Sequence, residues 1–379
     1  MRVLSNSGRI AMPLHTTLCD CFAEIEQHFH QVVLPLWYGP GWNSELALPY
    51  EALDHQGAVL PVTRYRAMAC ARQLYVFTQL IDHPTHPDAR VRAEQLFRSL
   101  NKHFHDAEYG GWFYSIDAKG APLDTRKDLY THAFIIFACA HFFRVTGDQL
   151  AEATLNAALE VVGEHFADGH DLYHAELARD WQELGSGALQ NPLMHLTEAL
   201  LAVLDAREDE HTQQALLNLC QAMNDDFVEP TTGLLMEKPL GSEANWFEPG
   251  HQFEWLYLLA TSFLNQSPLH LQLIKGAAFA EAHGLSEHGA VLAALDCDGH
   301  VQDATKRIWA QAEHLRALTL KADNHALLNA LEGFKARFLH TNGWNEALNG
   351  EGALSRADLP STTAYHLATA YSALRDYLS

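Results

Sequence analysis

Basic residues are few. The chain has 25 lysines and arginines against 47 aspartates and glutamates, a formal charge of −22 over 379 residues. Phosphate backbones are bound by basic patches, so this balance excludes nucleic acid as a partner. Long apolar runs are missing as well. No stretch of eighteen apolar residues reads as a membrane span, and no membrane partner is expected. The opening MRVLSNSGRIAMPLHTTLCDC has no apolar core of signal-peptide length. Cysteine is sparse: Cys19, Cys21, Cys70, Cys139, Cys220 and Cys297, most of them in apolar helical runs. They read as reduced thiols, and the expected compartment is the cytoplasm. The Cys19/Cys21 pair has no second cysteine pair to complete a metal site. No G-x-G-x-x-G or phosphate loop occurs, so no nucleotide cofactor is expected. No H-E-x-x-H occurs either, and no metal is expected.

What the chain does have is apolar residues, 48% of the total, enough for a large core, and 24 histidines. It also repeats itself. A short extended stretch with a glycine, an aromatic or branched residue and a turn recurs before a helical run. The copies are PGWNSELALPYEALDHQG, YGGWFYSIDAKG, DGHDLYHAELARD, TGLLMEKPLG, HGAVLAALDCDG and NGWNEALNGEG, marked by Gly41, Gly111, Gly169, Gly233, Gly289 and Gly343. Units of roughly sixty residues fill the chain. Between the copies, apolar residues recur at three and four, as in LTEALLAVL and FEWLYLLATSFL. The pattern predicts helix pairs at 62–81 and 86–104, 127–146 and 148–165, 188–206 and 208–226, 251–269 and 270–283, and 303–321 and 323–339. A final helix at 361–378 lacks a partner, which 14–36 supplies. The expectation is an all-α (α/α)6 barrel of six hairpin-plus-helix-pair repeats, closed as one catalytic domain over 1–379.

The helix after each hairpin is the inner one, and its N-terminal half faces the central cavity. His132, His195, His251 and His366 follow their marker glycines at similar offsets and are expected at one depth. In GHQFEWLYLL, His251 and Glu254 share a helical face, and Glu254 is placed to orient His251 or to bind a hydroxyl. In NPLMHLTEALL, Asn191 and His195 share a face, with Met194 between them and Glu198 one turn on in support. His366 lies in PSTTAYHLATAY, where Ser361 or Thr362 caps the helix. Trp309 near the start of its helix offers a stacking platform, followed by Glu313. Arg66, Arg72, Tyr114 and Tyr130 complete the polar and aromatic set, with Trp37, Trp112 and Trp246 on or near the loops. Aromatics with Arg, Asn and Glu around a cavity suit a neutral polyhydroxyl ligand. Converging histidines suggest proton transfer near neutral pH. A glycoside hydrolase would instead need two opposed carboxyl groups, from among Asp106, Glu108, Asp180 and Glu254.

At these residues the sequence resembles the N-acylglucosamine 2-epimerase superfamily, over nearly the whole chain. The resembling pieces are RAMACARQLYVF, DAEYGGWFYSIDAKG with KDLYTHAF, NPLMHLTEAL, EPGHQFEWLYLL, KRIWAQAE, GWNEAL and YHLATAY. The resemblance implies an (α/α)6 barrel and a cofactor-independent sugar isomerase or 2-epimerase. It implies that His251 and His366 act as acid and base, and that Arg72 and His195 hold and polarise the sugar oxygens. The QNPLMHL form and the chain length set the expectation in the mannose isomerase branch: mannose to fructose through a cis-enediol, with lyxose and xylulose as a further pair. A 2-epimerase and a non-catalytic sugar-binding barrel remain the alternatives. The expected partner is a monosaccharide, and the expected state is a monomer or homodimer.

Overall fold

A computed structural model describes residues 14–379. The opening residues of the expected domain, and most of the segment weighed as a leader, lie outside this range. The helices are α1 (Leu14–His28), α2 (Leu34–Tyr38), α3 (Ala67–Gln79), α4 (Ala89–Phe104), α5 (Leu129–Thr146), α6 (Gln149–Val161), α7 (Gln190–Ala206), α8 (Glu210–Phe227), α9 (Pro249–Ala260), α10 (Pro268–His283), α11 (Ile308–Thr319), α12 (Asn324–Phe338) and α13 (Thr363–Leu378). Helices α3, α5, α7, α9, α11 and α13 form the inner ring, each packed on the next, and α13 returns to α3. The outer layer is α1, α4, α6, α8, α10 and α12. The first helix packs on α12 and α13, so the chain's two ends complete the toroid together. A second closure lies in the loops, where residues 359–360 pair with 52–53. The (α/α)6 barrel expected from the repeats is the observed fold.

Several predicted spans shorten. The 14–36 helix is interrupted by a π-helical turn at Phe29–Val33 before α2. The 251–269 helix begins earlier, with Pro249 at its first turn, and stops at Ala260. Proline is suited to that start because its missing N–H has no helical partner there. The inner helices begin later than predicted where short antiparallel strands precede them, as Arg64–Arg66 does before α3 and Lys306–Arg307 before α11. Helix α5 is long and apolar enough to cross a bilayer by length and composition, but its apolar surface is packed in the barrel wall.

Four outer helices carry a side-chain cap from Asp148, Asp209, Ser267 and Asp323. On the inner ring, α3, α7, α9, α11 and α13 start without one. Their N-terminal dipole ends are therefore uncapped at the rim of the cavity, where they favour negative charge.

The marker glycines fix the hairpins. Gly111 (φ +65°) and Gly233 (φ +75°) have left-handed backbone. A Cβ on Gly111 would lie 2.8 Å from the His132 ring, and one on Gly233 would lie 2.4 Å from the Gln272 carbonyl. A polar side chain from the inner helix braces three of the hairpins. Gln252 accepts from the Leu235 N–H and donates to its carbonyl, and Gln311 does the same with Val291. His132 fills this role in its repeat: its Nε2 accepts from the Trp112 N–H at 3.1 Å, and its Nδ1 donates to the Asp128 carbonyl. It therefore corresponds to Gln252 and Gln311, not to the other three histidines, and it does not line the cavity.

Candidate active site

A cavity of about 520 Å³ opens at the N-terminal end of the inner ring. Its lining brings together Arg72 from α3, Tyr130 from α5, Asn191 and His195 from α7, His251 and Glu254 from α9, Trp309 from α11 and His366 from α13. Other residues placed near a sugar by sequence are elsewhere or set back, Trp246 among them, which lies under the Lys238 ammonium. Arg66 sits on a strand and is tied to Glu51 at 2.7 Å. Tyr114 lies under the Arg126 guanidinium. Met194 is fully buried behind the wall. Trp37 and Trp112 are core residues. Asp106, a candidate for opposed-carboxyl chemistry, is buried with Lys127 and Arg179 and contributes nothing to the cavity.

Each cavity histidine is held through Nδ1 by a buried carboxylate, which leaves Nε2 as its free nitrogen. His195 donates to Glu198 at 3.2 Å, as its position one turn away suggests. His366 donates to Glu313 at 2.8 Å, so Glu313 supports a histidine from behind the wall. His251 donates to Glu237 at 2.8 Å, which corrects the expectation that Glu254 orients it. Glu254 falls in the second helical turn, away from the dipole end. Ser361 and Thr362 make no side-chain cap, and Thr363 instead donates its hydroxyl to Glu346 at 2.7 Å.

The same histidine–carboxylate motif has opposite electrostatic outcomes. Burial works against the His251 imidazolium, but Glu237, then Glu248 and Glu254, outweigh it and push its pKa up to about 9. Burial holds His366 below the ordinary imidazole range despite Glu313, and Arg72 adds to that. The two differ in their neighbours: three carboxylates surround His251, whereas the Arg72 cation faces His366 and Arg316 donates to its partner Glu313 at 2.7 Å. Burial likewise brings His195 down to about 4 despite Glu198. Glu254 is buried close to Glu313 and Glu198; burial first, then their repulsion, raise it well above the carboxylate range. At neutral pH the cavity therefore holds a protonated His251 with neutral His366 and His195, and a Glu254 whose carboxyl binds its proton more tightly than an ordinary one.

Arg72 donates to the Tyr130 hydroxyl at 2.6 Å, and its guanidinium centre lies 4.2 Å from the Phe134 ring centroid. Its Nε is buried without a hydrogen-bond partner, as are Glu254 Oε1 and Asn191 Oδ1. Buried polar atoms of this kind at a cavity wall are where a polar ligand recovers hydrogen bonds. Trp309 packs against both His251 and His366, with centroids 5.0 and 5.6 Å away. At the rim, Arg307 pairs with Glu248 and Asp303, and Arg356 with Asp358. Sequence reasoning missed these rim residues and Glu237, Glu346, Arg316 and Tyr365. Tyr365 donates its hydroxyl to Glu198. Glu198 and Arg316 also border a second cavity of about 470 Å³ at the opposite end of the barrel. Their network is the partition between the two.

The N-acylglucosamine 2-epimerase (GlcNAc 2-epimerase) family profile matches residues 49–370. The chain belongs to this family. Cellobiose 2-epimerase of Bacteroides fragilis is 24% identical over 364 residues, covering 88% of this chain and 93% of the relative. Mannose-6-phosphate isomerase of Rhizobium meliloti is 28% identical over 395 residues, covering 94% and 97%. The structure of cellobiose 2-epimerase from Bacillus thermoamylovorans B4167 superposes with a TM-score of 0.86 at 20% identity, over 94% of this chain and all of that one. That likeness is one of fold. The relatives divide between epimerases and isomerases, so membership makes the chain a sugar-acting isomerase or epimerase and does not single out the mannose isomerase branch.

Proposed function

We propose that the chain is a 2-epimerase of neutral aldoses, and that the protonated His251 and neutral His366 on either side of Trp309 carry the reaction. A proton on the carbon beside an aldehyde is removed by a neutral base. Inverting that carbon then needs a second, protonated group to return a proton on the opposite face. A histidine pair whose environments push their pKa values apart supplies both states at one pH. His366 takes the C2 proton, and the electron pair moves onto the carbonyl oxygen as an enediolate. Arg72 and His195 stabilise that oxygen. His251 delivers its proton to C2, and Glu254, whose Oε1 has no hydrogen-bond partner, bonds a sugar hydroxyl. The rim arginines are already paired with carboxylates, which favours a neutral sugar over a phosphorylated one. Aldose–ketose isomerisation is the second reading, favoured by the isomerase relative; there His366 returns the proton to C1, and mannose and fructose are the pair. Both reactions share the first step.

The test is NMR in deuterated water, with mannose, glucose and cellobiose supplied separately. Deuterium at C2 of both epimers, without a dominant ketose, is the expected result. Build-up of fructose from mannose would move the chain to the second reading. No carbon-bound exchange with any of the sugars would overturn both.

Glu237→Gln provides a further check. Without its carboxylate, the His251 pKa falls from about 9 toward the ordinary value of about 6.5. The alkaline limb of kcat/KM moves down with it, and activity at pH 8 drops by about tenfold or more. An unmoved alkaline limb across a pH 5–10 profile would remove His251 as the acid. The same pairing has a stability consequence. Its contribution is complete below the unfolded pKa of about 6.5 and is lost as pH rises through about 9.

A further inference from the structure

Three histidines meet far from this cavity. His30 lies in the π-helical turn between α1 and α2, and His83 and His86 lie in the turn after α3, past the end of that helix remote from Arg72. One ring nitrogen of each lies within 4.8 Å of the other two. His30 Nδ1 and His86 Nε2 are 2.8 Å apart, and the His30 ring stacks on both of the others. Tyr38 lies flat against His86 at 5.6 Å and backs the group. The histidines that form carboxylate pairs among the described residues are others: His174, His195, His251, His300, His314 and His366. Three adjacent imidazoles with no carboxylate paired to them repel one another once protonated, and burial, His83 and Arg375 outweigh the Glu26 field at His30. Their shared capacity is for a cation that all three can bind while neutral.

We propose that His30, His83 and His86 form a three-histidine site for a divalent transition-metal ion of the zinc class, with water as the remaining ligand. Imidazole is a favoured ligand for zinc, copper and nickel ions. Nitrogens bound tetrahedrally at 2.0–2.1 Å lie about 3.4 Å apart. The three rings are partly exposed, and one nitrogen of each already lies within 4.8 Å of the others. His83 Nδ1 accepts from the Thr85 N–H at 3.3 Å, with the Thr85 hydroxyl 3.0 Å away, and these contacts fix the ring beside the other two. The ion would staple the N-terminal helical segment to the first repeat, adding to the contacts that close the ring. This site is independent of the catalytic reading.

The test uses the full chain, stripped with chelator and dialysed. Zn2+ is titrated by calorimetry, with thermal unfolding followed in parallel. Co2+ serves as a visible-absorption probe of ligand number and geometry. One equivalent of Zn2+ bound, with a raised Tm, is expected. His86→Ala and the more conservative His83→Asn should each weaken binding by about a hundredfold or more. His300→Ala, in the exposed Asp296–Asp298–His300 cluster, should leave it unchanged. Absence of micromolar Zn2+ binding by the wild-type chain would overturn the site. So would wild-type affinity in His83→Asn, the substitution that leaves the Tyr38–His86 packing in place.

Discussion

Replacing His366 by asparagine is expected to lower kcat by about a thousandfold, the middle of the range for a positioned general base, with KM little changed. In the proposed reaction the side chain is the neutral member of the pair and the one that takes the carbon-bound proton. Asparagine keeps an amide that can donate to Glu313, so the ion pair between Glu313 and Arg316 stays satisfied and the fold is retained. C2–H exchange with deuterated water should fall in step with turnover. His251→Asn should lower turnover comparably but differ in one respect: if His366 still removes the proton, washout from substrate outlasts epimerisation. Steady-state kinetics, exchange by NMR and a cooperative thermal melt separate these outcomes. Turnover within tenfold of wild type in a folded His366→Asn would remove it as the base.

Much of this arrangement is legible in the sequence because the repeats carry it. A glycine-marked hairpin every sixty residues or so, followed by two helices, leaves few ways to fold. The cavity positions of Asn191 and His195 follow from their spacing of four on an inner helix. Two kinds of residue escaped that reading. The first are partners from loops: Glu237 reaches His251 because the hairpin folds back over the start of α9, and a sequence separation of fourteen gives no helical signal. Its position a few residues after Gly233, like that of Glu346 after Gly343, was the available clue. The second concerns depth. The bracing residues His132, Gln252 and Gln311 follow their marker glycines at offsets that overlap those of the cavity histidines, so a similar offset alone does not separate a hairpin brace from a cavity residue. Glu254 shows the limit from the other side: spacing put it on the face of His251, but it is buried beside Glu313 and Glu198, which raises its pKa, and the histidine's partner is Glu237.

Arg316→Met is expected to destabilise the fold by about 3–5 kcal/mol, the cost of leaving buried carboxylates without their cation. Arg316 is buried, donates to Glu313, and adds its field to the His195 hydrogen bond that holds the Glu198 pKa down against burial. Methionine restores the volume but not the charge, so Glu313 would lie against His366 with nothing else to neutralise it. That changes the chemistry in a defined direction. The His366 pKa rises, since a cation there now pairs with an uncompensated carboxylate, and the acid limb of kcat/KM moves up toward or past neutrality. At pH 6 the base is then protonated and turnover is lost, while raising the pH recovers part of it. Arg316→Lys should retain much of the stability and keep the acid limb closer to wild type, because it keeps the charge while losing the planar donor geometry. Chemical denaturation together with pH–rate profiles of both variants checks this. A Met variant that is destabilised but keeps the wild-type acid limb would mean that Arg316 supports the barrel floor without setting the state of His366.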